Sequence, residues 1–109
     1  MKEVTLDQYT NSVVNLSKLA QDDTSGSRAA AQVLLSAYNG NEWQLDITDL
    51  CLLDHAHYED AFIVILGRTS LNIEPHTVLD KGSDIFNSLW CQWSYLHVCE
   101  RGKQQTFTA

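Results

Sequence analysis

The opening segment leaves little choice of secondary structure. Thr5-Leu-Asp-Gln8 has the form of a capping box, a hydroxyl at the helix entrance and a glutamine three residues on. Behind it Leu6, Tyr9, Val13, Leu16, Leu19 and Ala20 recur at three- and four-residue spacing. That period belongs to a helix with one apolar stripe, and it predicts a helix ending near Gln21. The polar stretch 22–27 then reads as a linker whose last residue, Ser27, caps a second helix over Arg28 to Tyr38. Asn39-Gly40 suits a left-handed stop. The alanines at 29–31 allow a neighbouring helix to approach closely.

Residues 41–45 form a loop carrying Trp43, and Asp46 or Thr48 opens a short helical piece through Leu53. Asp54 recaps the chain for a longer helix to about Thr69. Within it, AFIVIL at 61–66 holds the β-branched residues of a strand. The uninterrupted run from Asp54 to Gly67 is too long for a mean strand, so helix is the reading. Residues 72–82, with Pro75, connect to a last helix opened by Ser83 and Asp84. Phe86, Leu89, Trp90, Trp93, Leu96 and His97 line it, and Gly102 stops it. Residues 103–109 are expected to fray. The prediction is an all-α fold: one domain over 1–102, a compact bundle of four to five helices.

A chain of 109 residues with 44% apolar content can bury a single core without staples. Its net charge of −7 argues against direct nucleic-acid binding, where cations must neutralise phosphates, and against anionic membrane surfaces. The start lacks an apolar signal region, and AFIVIL is too short to span a bilayer. Cys51, Cys91 and Cys99 are odd in number and match no CxxC pattern. A cytoplasmic setting is therefore expected, with the thiols as small core hydrophobes.

The charge is unevenly spread. No Lys or Arg lies between Arg28 and Arg68, an interval holding Glu42, Asp46, Asp49, Asp54, Glu59 and Asp60. Some of these acids complement helix N-termini. Together they also offer a negative surface that would steer a basic protein. Glu42, Asp46, Asp49, Glu59 and Asp60 are thus candidate partner-binding residues. Trp43 joins them as an exposed aromatic anchor, because loop tryptophans are hard to bury and are enriched at interface hot spots. Arg28 sits at a helix start, where the dipole disfavours a cation, and so calls for an acidic partner, Asp46 or Asp49.

The stretch DHAHYED, 54–60, holds the residues of acid/base or metal chemistry. On a helical wheel Leu52, Ala56 and Ile63 mark the buried direction. His55 and Glu59 fall on one flank and His57 and Asp60 on the other, so the four cannot face one ion. One stripe survives: Cys51, His55 and Glu59, aligned only if the helix runs unbroken through Asp54. Their spacing matches no named zinc pattern. No nucleophile elbow, GxGxxG or P-loop occurs. No catalytic residue, metal or cofactor is assigned, and a non-enzyme is expected.

The block GSRAAAQVLLSAYNGNEWQLDITDLCLLD, 26–54, resembles a family of small uncharacterised proteobacterial proteins encoded on plasmids, integrative elements and phages. The residues carrying the resemblance are Gly26, Ser27, Arg28, Leu34, Leu35, Tyr38, Asp46, Thr48, Asp49, Leu50 and Asp54. LWCQW, 89–93, is similar to that family's helix near its C-terminus. Trp43 and the histidines of DHAHYED lie outside the pattern. The resemblance implies mobile-element cargo and no established activity. Joined to the charge, it leads to an expected non-enzymatic regulator or inhibitor that occludes a basic, nucleic-acid-binding host protein, with counter-defence of the anti-CRISPR kind as one form. The alternatives are a small metalloprotein or enzyme using Cys51, His55 and Glu59, or a homo-oligomeric structural protein, a homodimer being its simplest form.

Overall fold

A computed structural model describes residues 3–105, with side chains through Arg101. Five α-helices follow in order: α1 (Leu6–Ala20), α2 (Ser25–Tyr38), α3 (His55–Ser70), α4 (Gly82–Gln92) and α5 (Val98–Gln105). Short 3₁₀ turns occupy Ile47–Leu52, Pro75–Val78 and Ser94–Leu96. No strand occurs among the described residues, and the fold is an all-α bundle.

α1 starts as the sequence predicts. The Thr5 hydroxyl accepts from the Gln8 amide at 3.1 Å, and Gln8 accepts from the Thr5 amide at 2.9 Å. Its stripe, with Tyr9, Val13, Leu16 and Ala20 fully buried, packs on both α2 and α3. Three consecutive alanines, Ala29, Ala30 and Ala31, are fully buried in α2, which passes through the middle of the core. α2 begins earlier than predicted, at Ser25. The cap is Thr24, whose hydroxyl accepts from the Ser27 amide, while Ser27 itself is buried. Its end also differs. Asn39 is extended rather than left-handed, and Arg68 of α3 donates to the orphan carbonyl of Ala37 at 2.8 Å.

The single last helix of the sequence reading is broken at Trp93. The reason lies across the core at the C-terminus of α1. The Trp93 indole N–H donates to the Ala20 carbonyl at 2.9 Å, and the Gln92 amide donates to the Asp22 carbonyl at 2.9 Å. These bonds satisfy carbonyls at the end of α1 and just beyond it, Ala20 having no intrahelical partner there. They also fix Trp93 in a non-helical conformation, and the chain turns into α5. α5 passes through Gly102, an interior glycine costing about 1 kcal/mol relative to alanine. Residues 103–105 of the expected frayed tail are therefore helical, and 106–109 lie outside the described residues.

All three cysteines are exposed, which corrects their expected place in the core. On α4 the inward positions belong to Phe86 and Leu89, leaving Cys91 on the outer side.

Candidate functional site

The helix break at Asp54 decides the fate of DHAHYED. Leu53 and Asp54 are extended, with ψ of 143° and 170°, and α3 starts afresh behind them. The Asp54 carboxylate caps it, accepting from the His57 amide at 2.9 Å, with the His57 ring also within 2.9 Å. The capping amide holds the Asp54 carboxyl below its ordinary pKa, and the His57 side chain adds to this. Cys51 is thereby separated from His55 and Glu59, and the proposed stripe does not form. His55 and Glu59 remain a surface pair at 3.1 Å. Among the described residues no three His, Cys, Asp or Glu side chains gather as a metal site.

The wheel is also turned. The buried residues of α3 are Ala61, Val64 and Gly67, about a quarter turn from the expected Ala56–Ile63 direction. The flank holding His57 and Asp60 faces inward instead. Asp60 accepts from the buried Ser12 hydroxyl of α1 at 2.8 Å. Gly67 lies against the ring of Tyr9, and the Tyr9 hydroxyl donates to the Ile73 carbonyl at 2.6 Å.

Several acids of the proposed surface are engaged within the fold, although the Glu42, Asp46 and Glu59 side chains stay exposed. Bases from outside the base-free interval return to it. Arg28 lies 3.4 Å from Asp49, which also accepts from Gln32 at 2.6 Å. Gln32 in turn accepts from the Asp46 amide at 2.8 Å. Arg101 donates to Asp46 at 2.8 Å and to the Gln44 carbonyl at 3.1 Å. Glu42 accepts from Asn39 and lies 3.2 Å from His97. These contacts fasten the 42–49 loop to α2 and α5. Trp43 is 1% exposed, not a surface anchor: it packs edge-on against Trp90 and His97, with ring centres 5.0 and 5.3 Å away. Phe86 and Trp93 are likewise core residues, and Trp90 is half-buried against it. Of the six candidate partner-binding residues, Glu59 alone borders the outer side of α3.

That outer side carries what the sequence reading missed. Tyr58 and Phe62 stand one helical turn apart, 38% and 45% exposed, in edge-to-face contact with ring centres 4.9 Å apart. Phe62 separates two clefts. One, of about 320 Å³, lies beside the entrance of α1, floored by Val4, Ile63 and Leu66 and bordered by Glu3 and Glu59. The other, of about 530 Å³, lies towards α2 and the 47–52 turn, floored by Val33, Leu50 and Ile65. Ile47, 74% exposed, stands at its edge. The signal was present in the sequence. Tyr58 and Phe62 share a wheel sector with His55 and Glu59, and those polar neighbours mark it as the outer one.

The fold and this face define an all-α domain with an aromatic ridge that stands exposed among the described residues. A family model of unknown function, DUF7673, matches residues 10–94, and the chain belongs to that family. No curated protein and no solved structure matches the chain. No helix among the described residues is long and apolar enough to cross a membrane.

Proposed function

We propose that the protein is a non-enzymatic protein-binding regulator that engages its partner through the outer face of α3. The observation carrying this reading is the Tyr58–Phe62 ridge standing exposed between two apolar-floored clefts. Large aromatic side chains beside concave apolar surface are what interface hot spots are made of. On this reading the seat of binding is α3 rather than the 42–49 loop, two of whose acids are paired with Arg28 and Arg101. The expected role as mobile-element cargo acting on a host protein, with inhibition of the anti-CRISPR kind as one form, rests on the sequence resemblance. The metalloprotein alternative loses support with the separation of Cys51 from His55 and Glu59.

The test is a comparative capture in the cells that carry the protein. Wild type, Phe62→Asp and a control at an exposed position of α4, Ser83→Asp, serve as baits. A protein retained by wild type and Ser83→Asp but lost by Phe62→Asp supports the reading. An identical set of captured proteins for all three overturns it.

A further inference from the structure

We infer that the occupant of the α3 face is a basic amphipathic helix, laid across Phe62 with one apolar anchor in each cleft. This rests on the protein-binding reading above and names the partner's chemistry. The geometry carries the first half. The clefts flank Phe62 on the outer face of one helix, and a helix with its side chains is roughly 10 Å across, which sets the scale of the gap that an occupant must bridge. On an occupying helix, residues i and i+7 are about 10 Å apart and share a face. A small residue at i+3 or i+4 leaves room for the Phe62 ring.

Charge carries the second half. Glu3 and Glu59 border the cleft beside α1, both exposed, with the Glu59 side chain 64% accessible. Among the described residues lining the clefts, Arg68 is the one Lys or Arg and is turned to the Ala37 carbonyl and Asn72, while His55 lies 3.1 Å from Glu59 and leaves Glu3 and the outer side of Glu59 to the rim. An acidic rim over an apolar floor suits Lys or Arg flanking Leu-type anchors. A second copy of this chain fits less well, because it brings its own net charge of −7 and an identical acidic rim.

The experiment uses the full chain and two labelled synthetic helices of about 18 residues, long enough to cross both clefts. Both carry leucine at i and i+7 and alanine between; one has lysine on its polar face, the other glutamate. Anisotropy gives each affinity, and circular dichroism verifies that each variant keeps its helix content. The lysine peptide is expected to bind at least tenfold tighter than the glutamate peptide. Phe62→Asp should weaken it about tenfold although that change adds an acid, and Glu3→Gln with Glu59→Gln should weaken it severalfold. Undiminished binding to Phe62→Asp would mean charge attraction alone, and would overturn both this inference and the α3 reading. Equal binding of both peptides, lost in Phe62→Asp, would overturn the basic occupant and leave the α3 face as a binding site. Binding of neither peptide overturns the inference. A concentration-dependent dimer in sedimentation, dissolved by Phe62→Asp, would then assign the face to a second copy.

Discussion

The ring of Tyr9 lies directly on the backbone of Gly67, so close that a methyl group there would overlap its Cδ1. α1 and α3 meet here, and Tyr9 is fully buried in the contact. Gly67→Ala gains helix propensity but must displace an aromatic ring held at its far end by the hydroxyl bond to Ile73. Overpacking of this kind costs about 1–3 kcal/mol. Urea unfolding should show a lower midpoint with an unchanged slope. Tyr9→Phe keeps the ring and loses the bond, for about 1 kcal/mol.

The same tyrosine should make the fold sensitive to alkali. Burial pushes its hydroxyl up to about 12 from an ordinary 10.0, with Arg68 opposing the rise. The folded state thus holds the proton more tightly than the unfolded chain. Stability from Tyr9 is complete below about pH 10 and is lost as pH rises towards 12. Phenolate absorbance followed through this range should show one tyrosine lagging the rest, and Tyr9→Phe should remove the laggard.

Asp54 should act in the opposite direction. Its carboxyl is held below 3.8 by the His57 amide it caps. Its contribution is present above the unfolded value and fades as pH falls through the lowered folded one. Asp54→Ala should speed amide exchange at His57 and fray the first turn of α3, while Asp54→Asn keeps an acceptor and should lose less. Equal exchange in all three proteins would show that the cap is not what starts α3.

Arg101 reaches three acceptors from a side chain only 15% exposed: the Leu96 carbonyl, the Gln44 carbonyl and Asp46. It joins α5 to the loop that bears Trp43. Arg101→Ala should cost about 1.5–3 kcal/mol, the range for hydrogen bonds to charged groups. Arg101→Lys should restore little of it, since a point ammonium cannot reproduce the fork. Chemical denaturation of the three proteins distinguishes these outcomes.

Local rules made α1 legible in advance, because its cap and stripe lie within twenty residues of one another. The cap at Asp54 and the Arg28–Asp49 pair were legible for the same kind of reason: a helix start needs an acceptor, and a cation placed there needs an acid. What the sequence concealed was set by distant partners. Trp93 breaks the last helix because Ala20, remote in sequence, offers it a carbonyl. Asp60 looked like a surface acid until Ser12 met it from α1. AFIVIL is apolar at every position, so periodicity could not tell which side faced in. The outward turn of Phe62 followed from Gly67, whose missing side chain admits Tyr9 on the opposite side.

Trp43 and Phe62 therefore exchange the roles that their sequence settings suggest, and a pair of substitutions tests the exchange. Trp43, from a loop, is core; Phe62, from the middle of an apolar run, is 45% exposed. Trp43→Ala removes a ring packed against Trp90 and His97 and should cost about 3–5 kcal/mol. Phe62→Ser removes a partly solvated ring and should cost below about 1 kcal/mol, since the large penalties belong to buried sites. Thermal melting measures both. Near-equal losses would place Phe62 in the core and remove the exposed ridge on which the binding reading depends. A large loss at Trp43 with a small one at Phe62 would leave Phe62 free to serve a partner, because the fold does not require it.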